Sequence, residues 1–269
     1  MKIGIGIPTT FIPTSPYDAS AAAYFSAAGI TSSSIKTAIN NFVVSLKAQG
    51  LWSRFYAFYP IVESLTKSSY NLVAPANYQI TWADTPTFSG NAISFNGTTQ
   101  YGNTNFSPIA VAGFSMSDVS FGLWDATGFN SRTEVPMGTT QNVGADRIRA
   151  VWFNTNNNIL DIMSNDDLNG RVVFTGQAVG FWHFQKNATN TQVYKDGNLV
   201  ASAGISSGAV IPTNKIFVGA TSDGSPGANT PALYSQKTYK FFYQAKAFTG
   251  PELITLNSLL VTLNSQLSR

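Results

Sequence analysis

The chain has 269 residues and a formal net charge of +3, from 16 Lys and Arg against 13 Asp and Glu. Charged residues make up only 11% and aromatic residues 13%, which excludes intrinsic disorder as the main state, and no basic cluster longer than a pair offers a nucleic acid its phosphate-binding stripe. Cysteine is absent and His183 is the single histidine, so disulfides, thiolate zinc sites, cysteine nucleophiles and most histidine-based metal schemes fall together.

The opening MKIGIGIP lacks the apolar core and small-residue cleavage site of a secretory signal. No apolar run reaches the ~18 residues of a membrane span, so no membrane insertion is expected. Ile3, Ile5 and Ile7 alternate with Gly and Lys, the period of a strand or arm. Pro8, Pro13 and Pro16 hold off helix until Asp18, which can cap DASAAAYFSAAG before Gly29. A second helix is predicted after Ser32–Ser34, with Ile35, Ile39, Phe42, Val43 and Leu46 on one stripe and Gly50 at its end. Leu51, Trp52, Phe55, Tyr56, Phe58 and Tyr59 follow, too aromatic for a free surface, and Pro60 stops the run. Residues 1–66 thus read as an arm and a helical anchoring segment.

From 67 to 248 the pattern changes to short apolar or alternating runs between turn clusters such as FNGTTQ, NTNNN, SNDDLNG, KDGN and TSDGSPGAN. Strands are predicted over 92–95, 114–123, 147–153, 159–163, 171–175, 181–186, 191–195, 199–203, 215–220 and 237–247. Asp196-Gly197 marks a hairpin, since such pairs accept positive φ cheaply. Many short strands with frequent turns favour an antiparallel sandwich over βαβ units. Residues 249–269 form a final helix, opened by the T-x-x-E capping box of Thr249 and Glu252. Leu253, Leu256, Leu260, Leu263 and Leu267 make a seam that packs on the chain's own sandwich in preference to a partner subunit.

Four stretches carry a family pattern. NAISFNGTTQYGNT ends a strand in F-N-G with an aromatic before the next strand, and GFWHFQKNATNTQVYKDGNLVAS has W-H, a short turn and V-Y-K-D-G-N-L-V. KIFVGA supplies a strand ending in glycine, and YKFFYQAKAFTGPELITL supplies a last strand followed by a short helix with an acidic start. In this order over 91–259 they resemble the laminin-G-like, concanavalin A-like jelly-roll family. The resemblance implies a mainly β chain, an antiparallel jelly-roll sandwich with an N-terminal helical segment and a C-terminal helix. The acidic I-D-E element frequent in that family's last strand is missing from TYKFFYQAKAF. The segment GITSSSIKTAINNFVVSLKAQGLWSRFYAFYPIV, followed by a jelly roll, looks like virion structural proteins of tailed bacteriophages.

A glycosidase needs two carboxyl groups flanking the bond. Of the three glutamates, Glu63 lies in the N-terminal segment and Glu252 caps the last helix, leaving Glu134 in the sandwich without an E-x-D-x-E partner. His183 sits between Trp182 and Phe184, so alternation turns those two to one face and His183 to the other, a structural position. No catalytic, cofactor-binding or metal residues are therefore assigned. Calcium is the one cofactor left open, through Asp125, Asp146, Asp161, Asp166, Asp167 and Asp223, although none follows a calcium-loop pattern. Trp124 and Trp152 are candidates for glycan contact, set against the commoner fate of a core aromatic. Trp52, Phe55, Leu256, Leu260 and Leu263 are candidates for assembly contact.

The resulting expectation is a non-enzymatic bacteriophage virion protein, a decoration or host-attachment module with a lectin-like jelly roll. Its expected partners are other virion proteins, further copies of itself and a host surface glycan. The rivals are a carbohydrate-binding lectin module outside any virion, and a glycan lyase or hydrolase.

Overall fold

The structure is a computed structural model that describes residues 15–128, 133–141, 146–153, 159–164, 179–204 and 211–269, with side chains described outside 141–164. The Ile-Gly arm at 1–7, the strand expected over 171–175 and the aspartates of SNDDLNG lie outside the described residues.

Two helices come first. α1 (Ala19–Ala28) is capped by Asp18, whose side chain accepts from the Ser20 N–H, and ends at Gly29 in the left-handed region (φ 64°). α2 (Ser33–Ala48) is capped by the Ser32 hydroxyl and buries Ile35, Ile39, Phe42, Val43 and Leu46, the stripe expected from spacing. The strands then follow in chain order. β1 (Phe55–Pro60), β2 (Thr81–Ala83), β3 (Thr87–Ser89), β4 (Ala92–Ser94) and β5 (Tyr101–Asn103) lead to β6 (Val119–Asp125), β7 (Glu134–Gln141), β8 (Asp146–Phe153) and β9 (Ile159–Ser164). β10 (Gly180–Lys186), β11 (Asn190–Lys195), β12 (Asn198–Gly204), β13 (Phe217–Val218), β14 (Thr221–Asp223), β15 (Thr230–Ala232) and β16 (Thr238–Ala245) complete the sandwich. α3 (Gly250–Gln266) closes the chain behind the Thr249–Glu252 capping box.

The first sheet runs β12-β11-β10-β6-β16-β4-β3, with β1 also on β16; the second runs β15-β14-β7-β13-β5-β2, with β8 on β7 and β9 on β8. Every pair is antiparallel except β14 with β7. The β11–β12 hairpin turns at Asp196 and Gly197, both with positive φ (50° and 82°).

Alternation along the central strands divides the core in two. Trp182, Phe184, Leu123, Phe121 and Phe242 point between the sheets. Phe181, Phe241, Tyr243 and Phe58 point the other way, into a cluster with the buried faces of α1, α2 and α3. The layers are therefore helices, first sheet, second sheet, and the mainly β sandwich with flanking helices is as the sequence predicts.

Two differences concern boundaries. Residues 55–60, expected within the helical segment, form β1 and pair with β16 from Phe55↔Ala245 to Pro60↔Phe241. The strand expected over 114–123 begins only at Val119, because Ser115 and Asp118 close a tight turn before it.

Candidate functional site

β5 presents its residues alternately to the two sides of the second sheet. Gly102 faces inward, where a Cβ would lie 2.5 Å from the ring of Trp82, and Trp82 packs against the inter-sheet core. Tyr101 and Asn103 therefore face outward. On the neighbouring β13, Val218 joins the core while Phe217, paired with Asn103, lies on the outer side. Tyr101 stacks on Phe217 with ring centroids 4.8 Å apart and planes 24° apart. Tyr234, from the segment between β15 and β16, meets Tyr101 edge-on at 6.2 Å. Phe217 is buried beneath Tyr101, and both tyrosines are half-buried. Burial raises the Tyr234 hydroxyl pKa, and Tyr101 and Asp84 add to the rise, so the phenol stays a neutral donor and acceptor.

Amide side chains flank Tyr101 along the chain, at Gln100, Asn103 and Asn105. Asn103 Oδ1 accepts from the Asn105 N–H at 2.9 Å, and Asn105 Nδ2 donates to Gln79 O (2.8 Å) and Thr81 Oγ1 (3.1 Å). Lys215 Nζ donates to Asn105 Oδ1 at 2.9 Å. Gln100 Nε2 donates to the backbone of Asp84 and Thr85 at 3.0 and 3.1 Å. These bonds hold the amides in fixed orientation while leaving further donor and acceptor capacity on half-exposed side chains. A half-buried tyrosine pair near oriented amides suits a ligand that is apolar on one face and hydroxyl-rich at its edge.

The residues singled out by sequence lie elsewhere. Trp124 is on β6 in the first sheet and Trp152 on β8 in the second, so the two do not share a sheet. Trp124 meets Phe241 edge-on at 6.2 Å and carries Lys240 Nζ 5.6 Å from its ring centroid, on the helix-covered side. The Trp152 side chain lies outside the described residues. Phe55, Leu256, Leu260 and Leu263 are buried in the chain's own helix–sheet cluster, so the expected assembly surface is internal at these four positions. Trp52 is partly buried against the same cluster, with Lys47 Nζ 5.4 Å from its ring.

His183 is buried on the face opposite Trp182 and Phe184. Burial drives its pKa down to about 3, against the pull of Gln185, so it is a neutral ring. Glu134 is buried beside Lys237 and Asp125, and its Oε2 accepts from the Gln236 N–H at 2.7 Å. Asp223 accepts from the Gly224 N–H at 2.7 Å, a turn role. Among the described residues no group of three His, Asp or Glu side chains is arranged to hold a metal ion.

The sequence signal for the aromatic surface lies in two motifs: Tyr101 is the aromatic of NGTTQYGN and Phe217 that of KIFVGA. Their meeting with Tyr234 needed the sheet register.

No family model matches this chain, and no curated protein matches it by sequence. Solved structures do resemble it. A mutant Trypanosoma rangeli sialidase displaying trans-sialidase activity is 12% identical, with a TM-score of 0.52 over 84% of this chain and 39% of that one. The T. rangeli sialidase in complex with 2,3-difluorosialic acid is 12% identical, with a TM-score of 0.51 over 82% and 39%. Domain 4 of AbnA, an extracellular arabinanase of Geobacillus stearothermophilus, in complex with arabinotriose, is 15% identical, with a TM-score of 0.42 over 76% and 98%. The chain spans about two-fifths of the sialidases' length. At these identities the sialidase likeness is one of fold.

Proposed function

We propose that this chain is a non-enzymatic carbohydrate-binding β-sandwich, with its glycan contact on the outer face of the second sheet. The observation that carries this reading is the half-buried Tyr101–Tyr234 pair, with Tyr101 stacked on buried Phe217 and flanked along the chain by oriented amides. Sugar rings offer an apolar face to aromatic stacking and an equatorial rim of hydroxyls to amides. The sialidases that share the fold are sugar-directed proteins by name, which supports the ligand class but not a shared chemistry. The closed environment of Asp125 and Glu134, both buried around Lys237, supports binding over hydrolysis.

The finer setting rests on sequence alone. The likeness of residues 29–62 to tailed-phage virion proteins supports a decoration or host-attachment module, working among other virion proteins and copies of itself. Two experiments divide these claims. A glycan array probed with the purified chain is expected to return a set of ligands without release of reducing ends; hydrolysis at enzyme-like rates would make it an enzyme. Antibody labelling of phage particles by electron microscopy is expected to decorate head or tail, and unlabelled particles would leave a free lectin.

A further inference from the structure

Asp125, Glu134 and Lys237 form a second group, separate from the aromatic surface. Their side chains are 1%, 0% and 2% exposed. Lys237 Nζ donates to Asp125 Oδ2 at 2.7 Å and to the Gly128 carbonyl. Asp125 Oδ1 accepts from two backbone N–H groups, Thr127 at 2.8 Å and Gly128 at 3.0 Å. Glu134 Oε1 lies 3.9 Å from Lys237 Nζ and is buried with no hydrogen-bond partner. Two carboxyl groups and one amine sealed from water are costly as ions.

We propose that Lys237 and Asp125 condense into an intramolecular isopeptide bond, with Glu134 carrying the proton between them. Burial raises the Asp125 carboxyl pKa against the pull of Lys237, and burial likewise raises that of Glu134. Transfer of one proton from the ammonium to the Asp125 carboxylate gives a neutral amine facing a carboxylic acid. The Nζ lone pair attacks Cγ, the C–N bond forms, and the carbonyl electron pair moves onto Oδ1. The Thr127 and Gly128 N–H groups are placed to stabilise that oxyanion. Glu134 Oε1 takes a proton from Nζ and delivers it to Oδ2. The C–Oδ2 bond then breaks and water leaves. One ammonium and one carboxylate become one neutral amide and one water, with no oxidant, reductant or co-reactant, and Glu134 ends as it began.

The position of the bond has a mechanical meaning. Asp125 is the last residue of β6 and Lys237 immediately precedes β16, adjacent strands in which Asp125 pairs with Tyr239. The link would join residues 112 apart in sequence and staple two central strands of the first sheet at one end. This inference stands apart from the glycan reading.

The test is the intact mass of the purified full chain, followed by peptide mapping. The expected mass is one water below that of the sequence, with a branched tryptic peptide joining the segments around Asp125 and Lys237. The Lys237→Met and Glu134→Gln variants are expected at full mass. A native chain at full mass, with Lys237 open to amine-reactive label after denaturation, overturns the proposal. So does water loss confined to one linear peptide, which would be a cyclised Asp125–Ala126 step. The native measurement decides even if a variant does not fold, and a folded Glu134→Gln chain that condenses as the native does removes the role given to Glu134.

Discussion

The Tyr243 hydroxyl reaches across Gly122 to donate to His183 Nδ1 at 2.6 Å. Gly122 lies between them on β6, paired with His183 on β10 and with Tyr243 on β16. Its missing side chain makes the crossing possible, since a Cβ there would sit 2.0 Å from the Tyr243 ring. The other ring nitrogen, Nε2, donates to Gln185 Oε1 at 2.9 Å, which also accepts from the Phe248 N–H at 2.8 Å just ahead of α3. Gln185 Nε2 in turn donates to Gln192 Oε1 at 2.8 Å. The relay satisfies polar groups beneath the helical layer and fixes the tautomer of His183.

Gly122→Ala should therefore be far more damaging than its one-carbon size suggests. Expelling the Tyr243 ring is overpacking, costing about 1–3 kcal/mol or more. Tyr243→Phe leaves His183 Nδ1 buried without a donor, costing about 1–3 kcal/mol. Urea denaturation midpoints measure both, and unchanged midpoints would mean the relay is not formed.

Acid should weaken the fold through the same histidine. The unfolded chain takes up a proton near pH ~6.5, whereas the folded ring holds out to about 3. Between those values the unfolded state binds more protons, so stability falls with falling pH, by up to about tenfold in the folding equilibrium per unit. Glu63 acts in the same direction at lower pH. Burial opposes its charge, but Lys67 and the Ser32 and Thr31 N–H groups prevail and hold it at about 2, so its contribution is lost as pH falls from the ordinary glutamate range toward that value. Glu134, raised by burial, has the opposite sign and offsets part of the loss. A His183→Gln chain isolates the ring: its stability difference from native should shrink from pH 7 to pH 5, and a constant difference would contradict the assignment.

Truncating the leucine seam tests its internal use. Leu260 is fully buried in the helix–sheet cluster, so Leu260→Ala should cost about 2–5 kcal/mol through lost transfer energy and the cavity left behind. The oligomeric state, followed by light scattering, should not change. Destabilisation well under 1 kcal/mol with a loss of assembly would return the seam to a subunit interface.

The sequence was legible where period and caps agree with the tertiary role. α2, α3 and the Asp196-Gly197 hairpin each carried a local signal that packing did not override. β1 was illegible for a physical reason: Phe58 faces the helices while Ala57 and Tyr59 face the inter-sheet core. A strand buried on both faces shows no alternation, and it follows a helix directly. β2, β5 and β13 are two or three residues long, too short for a periodic pattern to register. The aromatic surface depends on two of those strands and on Tyr234, far along the chain. The Asp125–Glu134–Lys237 group likewise gathers the ends of three strands that no sequence spacing connects.

The most direct test of the glycan reading is a binding titration of native, Tyr101→Ala and Tyr234→Ala chains against the best glycan from an array. Each variant should keep the native unfolding free energy in urea to within about 1 kcal/mol and bind about tenfold more weakly, the loss expected for one stacking ring worth ~1.4 kcal/mol. Native affinity in both variants would show that sugars, if bound at all, are bound elsewhere on the sandwich.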